Sequence, residues 1–216
     1  EDEVPAVGAA RTRPRVEGER EEQILDATVR LLVDLGYDRL TLDAIAAEAH
    51  ASKATLYRRW QGKAELVVDA VARAKRCPEP VDVDSGSLRG DLMAVACNAG
   101  GLTDDVPLSV LAGLMSAMHH DVDLERAFRE RFLAPRIGIL DAVFERARQR
   151  GEIEAGVDIQ LLYDVLPGMV LHRRLIMGGS IDHDFIARII DGVLLPAPHR
   201  TEPVSRRSTT SREREL

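Results

Sequence analysis

The sequence predicts an all-α protein: an N-terminal three-helix helix-turn-helix unit followed by a larger C-terminal helical domain. Three observations carry this reading. Apolar residues recur at helical spacing from about Glu19 to Leu194, and no segment shows sustained strand alternation. Two good N-cap residues, Thr41 and Ser52, stand too close together for one unbroken helix between them. A stretch containing Pro78, Pro80, several Asp and Gly86 then divides the chain. With 216 residues there is room for one small helical unit and one larger core-bearing domain.

Residues 1–19 lack periodicity and contain Pro5, Gly8, Pro14 and Gly18, so they are expected to form a disordered arm carrying Arg11, Arg13 and Arg15. The first helix is expected from about Glu19 to Leu35, with Ile24, Leu25, Thr28, Leu31, Leu32 and Leu35 on one face and Gly36 ending it. Thr41 caps the second helix, and Leu40 and Ile45 occupy the two positions of a hydrophobic staple. Ile45, Ala46 and Ala49 give that helix a small apolar face. Ser52 caps a third helix with Leu56 and Trp60 on one side, leaving Lys53, Thr55, Tyr57, Arg58 and Arg59 for the remainder. A fourth helix runs from Glu65 to Lys75 through Leu66, Val67, Ala70, Val71 and Ala74. The first domain is thus placed at residues 20–80 and the second at 86–196.

In the second domain, helices are expected over Leu88 to Ala99, Pro107 to His119 and Leu124 to Arg150. Pro135 removes a backbone donor from the last of these, predicting a kink or break. Asp158 to Met177 follows, with Pro167-Gly168 as an internal irregularity, then Asp182 to Leu194, stopped by Pro196. Residues 197–216 have no apolar face and are expected to be a disordered tail.

The charge distribution says more than its total. The chain carries 29 Lys and Arg against 36 Asp and Glu, a formal net charge of −7, which argues against a general polyanion binder. Between Ala49 and Ala64, however, lie four cations, Lys53, Arg58, Arg59 and Lys63, and no carboxylate. A cationic patch on the exposed side of a second, capped helix fits one specific DNA duplex site. Enzyme chemistry lacks a constellation: there is no Gly-rich phosphate loop, nucleophile elbow or His-Glu-x-x-His pair. The run His119-His120-Asp121-Val122-Asp123 looks metal-like, but neighbours on a helix diverge, and Asp121 or Asp123 suits a cap. No metal and no cofactor is expected. Cys77 and Cys97 have no ligand spacing and point to a reducing compartment. No apolar run is long enough for a membrane span and the N-terminus does not read as a signal, so the cytoplasm is the expected location. The competing classes are a helical interaction module, which leaves the cationic helix unexplained, and an enzyme without a recognisable motif.

The segment Thr41-x-x-x-Ile45-Ala46-x-x-Ala49, then Ser52-Lys53-x-Thr55-Leu56-Tyr57-Arg58-Arg59-Trp60, then Lys63-x-x-Leu66 resembles the DNA-binding domain of the TetR family of transcriptional regulators. The resemblance covers about residues 20–75. Two positions depart from the family's habit, His50 and Ala54, where Gly is common; His is among the non-Gly residues that tolerate a left-handed turn. The resemblance implies a homodimeric regulator, most often a repressor. Its paired recognition helices enter successive major grooves of a palindromic operator and are released by a small molecule. On this reading Lys53, Thr55 and Arg59 meet base edges, while Thr41, Ser52, Tyr57, Arg58 and Lys63 hold phosphates. The last two helices are broad enough in apolar surface for two neighbours, and the family pairs them with their twofold copies. Leu162, Val165, Leu166, Met169, Arg173, Phe185, Ile189 and Val193 are the expected dimer residues. A mostly apolar effector is expected between the middle helices, against Met93, Cys97, Met115, Met118, His119, Phe128, Phe132 and Tyr163, although the same residues would serve as plain core.

Overall fold

The computed structural model describes residues 14–75, 83–98, 106–154 and 156–197, and no strand occurs among them. Four helices make the first unit: α1 (Pro14–Leu35), α2 (Leu42–Glu48), α3 (Lys53–Arg59) and α4 (Lys63–Ala74). The expected caps are in place. Thr41 Oγ1 accepts from the Ala44 amide at 3.2 Å and Ser52 Oγ from the Thr55 amide at 3.1 Å, each satisfying a donor the helix leaves open. Gly36 ends α1 at φ +74°, a conformation that penalises any side chain. α1 begins at Pro14, five residues before the expected start, because proline suits the first turn, where its missing amide costs no hydrogen bond. The arm proper, residues 1–13, and the tail beyond residue 197 lie outside the described residues.

The second unit comprises α5 (Leu88–Asn98), α6 (Leu108–Met118), α7 (Val122–Ala127), α8 (Ala134–Gln149), α9 (Ile159–Leu171) and α10 (His183–Ile189). Pro107 caps α6 with extended ψ rather than starting it. Asp121, Asp158 and Asp182 cap α7, α9 and α10 through their carboxylates. The expected break near Pro135 takes a specific form. Residues Phe128–Leu133 are π-helical and join α7 to α8 without interruption, and the Ala134 amide donates to the Arg129 carbonyl five residues back. The wider turn makes room for the Pro135 ring. Further π segments follow α9 (His172–Ile176) and α10 (Ile190–Leu194).

The two cores do not follow the sequence boundary at 80–86. One core joins α1–α4 to Val106, Val110, Leu114, Ala117, Leu124 and Ala127, so α6 and α7 pack on the N-terminal unit. The other gathers α5, the end of α8, α9 and α10 around Phe144, Ile186, Ile189 and Ile190. The long helix from Val122 to Gln149 therefore serves both cores, changing from one to the other across its π segment.

Candidate nucleic-acid interface

α3 is oriented by its apolar side. Leu56 and Trp60 are 1% and 2% exposed, anchored with Ile45 and Leu40 in the first core. Burying each large side chain contributes about 1.5–3 kcal/mol, enough to fix which face of a seven-residue helix turns outward. The outward face carries Lys53, Tyr57, Arg58 and Arg59, all exposed. Before α3 the chain turns through His50 at φ +49°, the left-handed conformation that its position between two helices demands. Arg20 of α1 donates to the His50 carbonyl, tying that turn to the first helix.

The expected DNA residues other than Lys63 fall into three groups. Tyr57 and Arg58 project with no partner among the described residues. Lys53 and Arg59 are exposed but already paired, Lys53 with Asp43 of α2 at 2.5 Å and Arg59 with Glu21 of α1 at 3.1 Å. Such exposed pairs contribute at most about 1 kcal/mol and exchange readily for phosphate or a base edge. Thr41, Ser52 and Thr55 are engaged in local structure: the first two cap helices, and the Thr55 hydroxyl lies 2.9 Å from that of Ser52.

Lys63 departs from the expectation that it holds a phosphate. Its ammonium donates to the Tyr37 carbonyl at 3.1 Å and sits 4.1 Å from the centre of the Tyr37 ring. The flexible four-carbon stem lets the charge fold back onto α1's exit rather than outward. Tyr37 in turn donates to Asp121 at 2.7 Å, the residue that caps α7. Burial and the Asp121 carboxylate push the Tyr37 hydroxyl far above its ordinary pKa. Burial also raises the Asp121 pKa, but hydrogen bonds from Tyr37 and the Leu124 amide and the Lys63 charge outweigh it and hold the carboxyl below its usual value. Sequence spacing gave no sign of this contact, because Tyr37 and Asp121 are 84 residues apart.

A second polar link joins α4 to the π segment: Arg131 donates to Asp69 at 2.8 Å and to Glu65 at 2.9 Å. The sequence reading did not single out Arg131. The only hint was its place four residues before a mid-helix proline.

The residues expected to line an effector cavity do not converge on one space. Met118, Phe128 and Phe132 pack against the first core, whereas Met93 and Tyr163 belong to the second. Met115 is half-buried and His119, the residue after α6, is exposed, so the histidine does not point into an interior. Tyr163 donates to Asp141; burial, and then that carboxylate, push its pKa up to about 12, and its ring lies 5.6 Å from that of Phe144. The Cys97 side chain lies outside the described residues. Phe128 and Phe132 stack at 4.6 Å, with the Arg136 guanidinium 3.5 Å above Phe132. Open depressions occur elsewhere, between α1 and α2 beside Arg20, Arg30 and Glu48, and at the start of α5 beside Leu88, Arg89 and Glu152.

Of the expected dimer residues, Leu162, Phe185 and Ile189 are buried in the second core and unavailable to a partner. Val165 and Leu166 are half-buried, while Met169 and Val193 are exposed. Arg173 locks its own turn, donating to the Ser180 carbonyl at 2.8 Å with its guanidinium 4.3 Å from the Phe185 ring. No group of His, Cys, Asp and Glu able to hold a metal occurs among the described residues, and no helix there is long and apolar enough to cross a membrane.

Residues 24–70 match the family described as bacterial regulatory proteins, tetR family, and residues 82–193 match the tetracyclin repressor-like C-terminal domain. The chain is 39% identical over 176 residues to a DNA-binding transcriptional repressor TetR of Mycobacteroides abscessus, covering 82% of this chain and 92% of that one. It is 34% identical over 193 residues to an uncharacterized HTH-type transcriptional regulator of Mycobacterium tuberculosis, covering 88% and 93%. Among solved structures, a TetR family transcription regulator superposes with a TM-score of 0.57 at 31% identity, covering 83% of this chain and 98% of that one. Matched in both of its domains, this chain belongs to the TetR family of transcriptional regulators and is a DNA-binding protein rather than an enzyme.

Proposed function

We propose that the protein is a homodimeric repressor that binds a palindromic operator through α3 and is released by a small, mostly apolar effector. The observation that carries this reading is the outward face of α3, where Lys53, Tyr57, Arg58 and Arg59 stand exposed while Leu56 and Trp60 hold the helix in place. Lys53 and Arg59 are suited to guanine O6 and N7, and Arg58 and Tyr57 to flanking phosphates. Thr41, Ser52 and Thr55 contribute through their backbone and cap geometry and through whatever their hydroxyls retain. Repression is supported by the 39% identical relative, a DNA-binding transcriptional repressor.

For the effector, the supporting group is Leu111, Met118, Phe128 and Phe132, partly buried apolar residues packed beside the N-terminal core. A guest there alters DNA binding only by favouring one arrangement of the heads over another, and operator DNA must then weaken the guest by the same factor. The test is an unbiased footprint of the protein on genomic fragments, followed by gel shift on the recovered site. A protected, near-palindromic sequence bound in preference to random duplex is the expected result. Equal retention of all fragments would remove the operator reading.

A further inference from the structure

We propose that Arg131, in the second domain, is a positioning residue for DNA recognition: it holds the end of α3 through two carboxylates of α4, and the π-helical register of residues 128–133 keeps it in reach of them. The inference rests on the reading of α3 as the DNA-reading helix. Its basis is a pair of shared oxygens. Asp69 Oδ2 accepts from Arg131 at 2.8 Å and from the Trp60 indole at 2.9 Å. Glu65 Oε2 accepts from Arg131 at 2.9 Å and from the Gln61 amide at 3.0 Å. Trp60 is the residue that ends α3, and Gln61 follows it. Glu65 and Asp69 stand one helical turn apart on α4, a spacing that the planar fork of a guanidinium can bridge. Both carboxylates are largely covered, with side-chain exposures of 19% and 27%, so water replaces a lost guanidinium poorly.

The backbone that presents Arg131 is itself unusual. In an α register the Pro135 ring would press on the carbonyl four residues back, which is that of Arg131. The π turn relieves this, with Ala134 bonded to Arg129 instead. A change of one residue in register turns position 131 by about 100° around the helix and carries the guanidinium away from α4. The same segment holds the Phe128–Phe132 stack, so whatever disturbs those rings acts on the end of α3 through a single side chain.

Trp60 is the chain's one tryptophan, so its fluorescence reports this site alone. The experiment uses the full chain and a duplex selected by the parent protein from a random pool. Arg131→Gln is expected to change Trp60 emission and to weaken the selected duplex about tenfold, the scale of a lost charge-assisted hydrogen bond. Arg131→Lys, a point charge that meets one carboxylate at a time, falls between parent and Gln. Asp69→Asn combined with Arg131→Gln binds no more weakly than the worse single variant, because both act on one link. Arg129→Gln removes the same charge from the same segment, where among the described residues the guanidinium pairs only with Glu125, and binds like the parent. Parental binding and emission in Arg131→Gln overturn the inference, as do additive losses in the double variant. If Arg131→Gln loses its helical circular dichroism, Arg131→Lys and Asp69→Asn decide, and parental behaviour in both overturns it. A parent that selects no duplex refutes the proposed function instead, and Trp60 emission in the variants then decides the link on its own.

Discussion

Lys53 and Arg59 show how a chain with net charge −7 keeps a cationic face available: each is held by a carboxylate of a neighbouring helix, Asp43 or Glu21, in an exposed pair. Exposed pairs are weak and are screened by salt, so they position the side chains without locking them. Lys53→Ala or Arg59→Ala is expected to cost about 1–3 kcal/mol on the cognate duplex and to relax its sequence preference, measured by titration against cognate and altered sites. Lys63 behaves differently because its charge is spent on Tyr37. Lys63→Ala should lower unfolding stability by about 1–2 kcal/mol, from a lost hydrogen bond and cation–π contact, and leave the salt dependence of DNA binding unchanged. A salt slope reduced by about one unit would instead return Lys63 to the phosphates. Residue identity and helical spacing made α3 legible in the sequence. The fold-back of Lys63 was not legible, since a flexible side chain's direction depends on a partner that only the fold brings near.

At the scale of elements, the caps at Thr41 and Ser52 and the end of α1 at Gly36 were readable because they depend on neighbours within four residues. The turn at His50 was readable as a departure, and the left-handed φ it adopts has a consequence. An L-residue there costs about 1–2 kcal/mol relative to an allowed conformation, so His50→Gly should raise stability by up to about 1 kcal/mol once glycine's greater unfolded freedom is subtracted. The carbonyl that Arg20 contacts is retained in that variant. Chemical denaturation with both proteins checks it, and a less stable Gly variant would mean the His side chain itself contributes. The π segments were not readable, because a widened turn satisfies the same apolar periodicity as a kink. The start of α5 was likewise hidden. There Asp91, wholly buried, accepts from the Ser85 amide and hydroxyl and from Arg150. Burial raises its pKa, but those bonds outweigh burial and hold the carboxyl below its ordinary value. A depressed folded pKa supplies stability above the unfolded value, near pH 4, and loses it as pH falls through the folded one. Asp91→Asn should therefore be less stable at neutral pH and converge on the parent in acid, a difference that unfolding curves at pH 7 and pH 3 would show.

For the whole molecule, the sequence indicated two units but not that α6 and α7 join the first, because contacts between α6, α7 and α1–α4 cross the boundary that proline and glycine mark. The same difficulty affects the proposed twofold interface. Apolar periodicity along α9 and α10 shows that both sides of these helices are apolar, yet it does not say which side faces the monomer's own core. Ile189 and Phe185 are taken inward, at 2% and 9% exposure, whereas Leu161, Met169, Ile176 and Met177 remain outward at 65%, 38%, 73% and 68%. An outward apolar row of this kind is what two copies need to bury the roughly 1,600 Å² of a standard interface. Met169→Glu or Leu161→Glu should then yield a folded monomer, since a carboxylate in a dry contact costs several kcal/mol and a monomer avoids it. Ile189→Glu should instead unfold the second core. Sedimentation with circular dichroism separates the cases: the parent is expected as a dimer at micromolar concentration and Met169→Glu as a monomer of equal helicity. A monomeric parent, or a Met169→Glu dimer of parental affinity, would remove this face from the assembly. In the proposed dimer two linked heads would meet two half-sites at high effective concentration, so the monomeric variant should also lose about a hundredfold or more in operator affinity while its α3 remains intact.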